Sequence, residues 1–175
     1  MRPVLACSTL ALALALAACA PGATDAPAGT AATQQAENES ACLNAWFDTQ
    51  YEELLQFSPL QMTVLGRKDR YDELDDMSPE AEARHLAWLK TSVETMESTF
   101  DRDALDDETR LSWDLWKRQY ESARDGEAFV ADRYVFDQMN GMHSLLPTFL
   151  INFHKVETEQ DYSAYIARLN AAPRL

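Results

Sequence analysis

The spacing of the large apolar residues after residue 40 most constrains how this chain can fold. Leu43, Trp46, Phe47, Tyr51, Leu54 and Leu55 fall at offsets of 3, 4, 8, 11 and 12 from the first. That is one face of an α-helix and not the alternation of a strand. Ser40 is placed to cap this helix, and Ser58-Pro59 ends it. Ser58 then opens a short second helix, with Pro59 at its first position and Gln61 completing a capping box. Met62, Val64 and Leu65 follow, and Gly66 is the stop. Residues 67–77 read as a charged loop anchored by Tyr71 and Leu74. Ser78-Pro79-Glu80 starts a third helix, along which Leu86, Leu89, Val93, Met96 and Phe100 recur at helical spacing. Asp106, Asp107 and Glu108, with Lys117 and Arg118 late, suit the macrodipole of a fourth. Its buried stripe is expected to be Leu111, Leu115, Trp116, Tyr120 and Ala123, closed by Gly126. Phe129 to Phe136 shows no firm period and reads as irregular. Ser144 to Phe153 predicts a short, deeply buried helix with Pro147 in its first turn. Thr158 and Asp161 form a capping box for a last helix, whose face is Tyr162, Tyr165, Ile166 and Leu169. No βαβ alternation appears, and Asn140-Gly141 lacks the flanking pattern of a hairpin. The fold class is all-α.

The first 39 residues have a different composition. Arg2 precedes an apolar Ala/Leu-rich run from Val4 to Ala18, short for a permanent membrane helix. The run ends in Leu16-Ala17-Ala18-Cys19, which resembles the bacterial lipobox; an ordinary cleavage near Ala15 or Ala18 is the alternative. Residues 1–18 are therefore expected to be a lipoprotein signal peptide. Residues 19–39 would be a lipidated Cys19 and a flexible linker, and residues 40–175 a helical domain. Acyl chains on Cys19 would hold the protein to the bacterial membrane. Ala20 in place of Asp points to the outer membrane within the cell envelope. Residues 20–39 contain no aromatic and no large aliphatic side chain, so they cannot form a core. Cys42 would be left as the lone thiol, with a buried apolar role favoured over a partner outside the chain.

The search for chemistry finds little. The net charge is −14, from 29 Asp and Glu against 15 Lys and Arg. That balance argues against a nucleic-acid partner, which needs clustered positive charge. No H-E-x-x-H, G-x-S-x-G, C-x-x-C or Walker-type loop is present. His85, His143 and His154 fit no short zinc spacing. His143 and His154 flank the apolar run 145–153, where solvent exposure or helix-end hydrogen bonding is favoured over a shared metal site. The acidic runs Asp72-Glu73-Asp75-Asp76 and Asp106-Asp107-Glu108 read as a solvated loop and a helix start.

Several segments between Phe57 and Pro173 resemble the N-terminal region of the bacterial family called domain of unknown function 885. They are Ser58-Pro59-Leu60-Gln61, Leu65-Gly66, Tyr71 to Pro79 with Asp76 and Ser78, and Phe136 to Pro147. They continue into Glu159-Gln160-Asp161-Tyr162, Tyr165-Ile166 and Arg168-Leu169, similar to the family's D-Y-x-x-Y-x-x-R-L pattern. Many members are similar lipoproteins, are several times longer, and resemble helical zinc metallopeptidases with a zinc motif in the C-terminal half. The resemblance implies that residues 40–175 are the irregular multi-helix N-terminal lobe of a larger helical fold. Zinc would be expected only in the C-terminal part, so no catalytic or metal-binding residue is carried over. Asn140, Gly141, His143 and Ser144 are the candidate cleft-lining residues, with a purely structural turn weighed beside that role.

Two functional readings follow. One is the N-terminal part of a lipid-anchored, peptidase-like protein, inactive by itself and partnered by the C-terminal lobe. The other is a self-contained helical periplasmic lipoprotein that acts as a binding or adaptor module.

Overall fold

The computed structural model describes residues 28–132, 134 and 141–174. Among the described residues the regular elements are all helical. They are α1 (Ala28–Leu55), α2 (Pro59–Val64), α3 (Pro79–Thr99), α4 (Asp107–Glu127), α5 (Met142–Asn152) and α6 (Glu159–Ala171). Short 3₁₀ turns lie at Arg102–Ala104, Val130–Asp132 and Ala172–Arg174. The architecture is all-α, as the apolar spacing requires. No described helix is long and apolar enough to cross a membrane.

The helix starts follow the local chemistry. Side-chain oxygens of Ser58, Ser78, Asp106 and Thr158 accept from the backbone N–H of Gln61, Ala81, Thr109 and Asp161. Pro59 and Pro79 occupy the first turns of their helices, and the Thr158–Asp161 capping box is complete. At α2 the expected reciprocal bond from Gln61 is not formed, because the Ser58 N–H donates to the Leu55 carbonyl at 3.0 Å. Asp75 accepts from Ser58 Oγ at 2.7 Å and from Leu60 N–H at 2.9 Å. A carboxylate is a strong acceptor at a helix N-terminus, so this loop residue braces the first turn of α2. Gly66 ends α2 at φ +80°, with Gly66 N–H bonded to Thr63 and Arg67 N–H to Met62. This is the paired closure that needs a left-handed residue.

α1 departs from expectation at its start. It begins at Ala28, so residues 28–39, read as part of a linker, are helical. Ala, Gln and Glu propagate a helix already anchored downstream, even though they build no core. Ser40 is consequently inside α1 and caps nothing there; buried, it accepts the Asp106 N–H at 3.0 Å and so positions the start of α4.

α1, α3 and α4 enclose the main core of Leu43, Val93, Met96, Leu105, Trp113 and Trp116, with Trp46, Phe47, Trp88, Phe100 and Tyr120 packed around it. Trp116 meets Trp46 and Trp88 edge-on at 6.0 and 6.1 Å and Phe47 at 5.4 Å. Its indole N–H donates to Ser92 Oγ at 3.1 Å, and that hydroxyl donates to the Leu89 carbonyl.

Three expected faces are displaced. On α4 the buried positions are Thr109, Trp113 and Trp116, while Leu111 and Leu115 are 59% and 56% exposed. One helix face faces inward, and the larger tryptophan rings occupy it. α5 buries Phe149 and Leu150 but exposes Leu145 and Ile151, so it is not the deeply buried helix that its composition indicates. Pro147 lies inside α5, whose start at Met142 is earlier than the expected Ser144. α6 buries Asp161, Ala164 and Arg168 and turns Tyr162, Ile166 and Leu169 outward.

Trp113→Ala is expected to cost about 3–5 kcal/mol, whereas Leu115→Ser should stay within about 0.5 kcal/mol. Urea denaturation of both variants checks this, and equal losses would contradict the observed rotation of α4.

Candidate functional site

The polar face of α6 results from a helical repeat. Asp161, Ala164 and Arg168 sit at i, i+3 and i+7, on one side of the helix. The Arg168 side chain is fully buried. Its hydrogen bonds go to neutral groups: Nε donates to the Glu73 carbonyl at 2.8 Å, one terminal nitrogen to Thr63 Oγ1 at 2.8 Å and the Pro59 carbonyl at 3.5 Å, and the other to His154 Nδ1 at 2.9 Å. The guanidinium also lies 5.1 Å from the Tyr71 ring centroid and 5.2 Å from that of Phe149. A planar fork with fixed donor directions suits this arrangement. Burial lowers the Arg168 pKa from its ordinary value, opposed by the charges of the Tyr71–Asp75 loop.

His154 is buried between Arg168 and Asp161. Since Nδ1 accepts from Arg168, the ring proton is assigned to Nε2, which donates to the Asp161 carbonyl at 3.0 Å. Tyr71 stacks on the imidazole at a centroid distance of 4.1 Å, and Tyr165 meets it edge-on at 5.2 Å. The Tyr71 hydroxyl accepts the Lys155 N–H at 2.8 Å and donates to the Lys155 carbonyl at 3.1 Å. Burial pushes the His154 pKa below its ordinary value, partly offset by the Asp161 carbonyl and reinforced by the charge of Arg168.

A second charge pair borders this cluster. Lys68 Nζ donates to Asp161 Oδ2 at 2.9 Å and to Glu157 Oε2 at 3.0 Å. Asp161 also accepts the N–H groups of Glu157 and Thr158. These bonds, that of Lys68 first, bring the Asp161 pKa down to about 2. The same contacts raise the Lys68 pKa. Between the 68–72 segment and α6 runs a groove of about 580 Å³, lined by Lys68, Arg70, Tyr71, Gln160, Ser163 and Ala167, among others. Its cations, the carboxylates of Asp72 and Asp161, and its hydroxyl, amide and aromatic edge suit a polar ligand.

The candidate residues read from sequence fall elsewhere. Cys19 and Asn140 lie outside the described residues. Gly141 is buried as the N-cap of α5, and Ser144 Oγ donates to its carbonyl at 2.9 Å, while His143 is exposed. Gly141 and Ser144 thus meet in a helix-start turn. His154 is engaged in helix-end hydrogen bonding, with both ring nitrogens occupied. Among the described residues no group of three His, Cys, Asp or Glu side chains is placed to hold a metal ion, so they do not fit a zinc centre. Sequence reasoning missed Arg168, His154, Tyr71 and Asp75 as one cluster. The available signal was the spacing of seven between His154, Asp161 and Arg168.

Arg168→Ala is expected to cost about 3–5 kcal/mol through lost volume and unpaired buried acceptors. Arg168→Lys keeps the charge but cannot reach three directions, and should still lose about 1–3 kcal/mol. Tyr71→Phe, which removes only a hydroxyl, should lose about 1–2 kcal/mol. Thermal and urea unfolding check this order; a lysine variant as stable as the parent would refute the fork argument.

Residues 59–175 match the family described as bacterial protein of unknown function (DUF885). No curated protein and no solved structure matches the chain. The matched span holds Thr63, Tyr71, Asp75, His154, Asp161 and Arg168, so the buried cluster is built within it. The chain belongs to the DUF885 family.

Proposed function

We propose that this helical body is the non-catalytic N-terminal lobe of a lipid-anchored envelope protein. In this reading it forms one wall of the substrate cleft of a zinc-dependent, peptidase-like hydrolase. The observation that carries the reading is the set of outward apolar side chains on α4, α5 and α6. Leu111, Leu115, Ile151, Tyr162 and Leu169 are all exposed, although helical spacing marks most of them as core-facing. In this reading a partner covers these side chains, and the resemblance to longer helical metallopeptidases names further family chain as that partner. The described residues supply no zinc ligand set, so the reading assigns them no catalytic step. The lipobox-like Leu16-Ala17-Ala18-Cys19 supports lipid anchoring, and Ala20 in place of Asp supports sorting to the outer membrane.

The purified full chain is expected to bind a hydrophobic dye and to show no zinc-dependent peptidase activity. Zinc-dependent hydrolysis of a peptide library by this chain would overturn the non-catalytic assignment. Ile151→Ser with Leu169→Ser should reduce dye binding at least twofold, and unchanged binding would overturn the assignment of the covering face. Expressed in a Gram-negative host, the chain should partition with membranes and carry acyl mass on Cys19; Cys19→Ser should abolish both. The groove beside Lys68 favours a second reading, a self-contained binding module. That reading requires cooperative unfolding with no dye binding.

A further inference from the structure

We propose that His154 is an acid-sensitive latch that holds the 67–77 loop against α6 and so sets the width of the groove between them. This rests on the buried cluster and not on the hydrolase reading. Neutral His154 is the acceptor for one end of a buried guanidinium, at 2.9 Å. Protonation places an N–H on Nδ1, facing the N–H of Arg168, and turns a hydrogen bond into a contact between two cations. The Nε2 bond to the Asp161 carbonyl persists, so the conflict falls wholly on Arg168. Tyr71 stacks on the imidazole and lies beside the guanidinium. Its hydroxyl ties the same loop to Lys155. Moving either cation therefore releases the loop that forms one wall of the groove.

The charged and titratable groups around His154 come from each packed element. The loop before α3 brings Lys68, Tyr71 and Glu73, the last through its carbonyl bond to Arg168. The α5–α6 connection brings Lys155 and Glu157. α6 brings Asp161, Tyr165 and Arg168, while α2 contributes the neutral Thr63 and α5 the apolar Phe149. Asp161 stays ionised down to about pH 2, and histidine is the side chain whose ordinary titration lies in the mildly acidic range. The folded state depresses the His154 pKa, so it binds this proton more weakly than the unfolded chain does. The latch's contribution is complete above about pH 6.5 and is lost as pH falls from there toward the folded value.

Backbone hydrogen exchange of the full chain tests this from pH 7.5 to 4.5, corrected for intrinsic rates. The amides of Lys155, Glu157 and Thr158, which bond to Tyr71 and Asp161, are expected to lose at least tenfold protection relative to amides of α3 and α4. A relative loss below tenfold overturns the proposal. His154→Gln, which keeps a donor and an acceptor without a titrating charge, should make the ratio independent of pH. If it keeps the parent's pH dependence, the latch is not His154. Should that variant fail to fold, ring ¹⁵N shifts of the parent chain decide. An Nε2-protonated ring titrating below 6.5 supports the latch, and titration at or above 6.5 overturns it.

Discussion

Arg168 is a charge that the chain places where water cannot reach it. Desolvating a guanidinium costs several kcal/mol unless its donors are satisfied. Here the partners are neutral: two carbonyls, a hydroxyl and an imidazole, with two aromatic rings alongside. The partners come from four parts of the chain, so burying the guanidinium fixes several segments at once. α2 supplies Thr63, the following loop supplies Glu73 and Tyr71, α5 supplies Phe149, and the connection to α6 supplies His154. Thr63 itself donates to the Pro59 carbonyl, which carries the constraint into the first turn of α2. Without Arg168 these segments would share few reasons to meet.

The molecule therefore has two stabilising centres of opposite character. Around Trp113 and Trp116, α1, α3 and α4 close on an apolar, aromatic core whose strength depends on buried area and ring contacts. Around Arg168, α2, α5 and α6 close on directional bonds whose strength depends on protonation and geometry. The aromatic core has no titratable member among its buried residues. Asp75 braces the N-terminus of α2 beneath the same loop that carries Tyr71, so the polar centre is supported from outside as well as within.

Helix existence and most starts were legible in the sequence because caps act locally. Ser58, Ser78, Asp106 and Thr158 each find their N–H three residues on, whatever the tertiary structure. Helix orientation was less legible because it is decided by competition between faces. On α4, Trp113 and Trp116 outcompete Leu111 and Leu115. On α6 the outcome reverses the usual preference: a polar set takes the inside and an apolar set the outside. Hydrophobic periodicity has no means of ranking Arg168 above Ile166, since the ranking depends on Thr63, Glu73 and His154, all distant in sequence. The start of α1 was missed for another reason. A composition too polar for a core says nothing against a helix extended from an anchored one.

The exposed apolar residues of α6 follow directly from the burial of Arg168. A helix has one inward face, and fixing Asp161, Ala164 and Arg168 there places Tyr162, Ile166 and Leu169 elsewhere. Turning α6 to bury Ile166 would drag the guanidinium away from three acceptors and leave Thr63, the Glu73 carbonyl and His154 buried without it. Each buried acceptor left unmet costs about 1–3 kcal/mol, and the displaced guanidinium would lose its own bonds as well, which opposes the gain from burying the apolar face. The α6 part of the outward apolar surface that the proposed function assigns to a partner is thus a consequence of the interaction that holds this half of the molecule together.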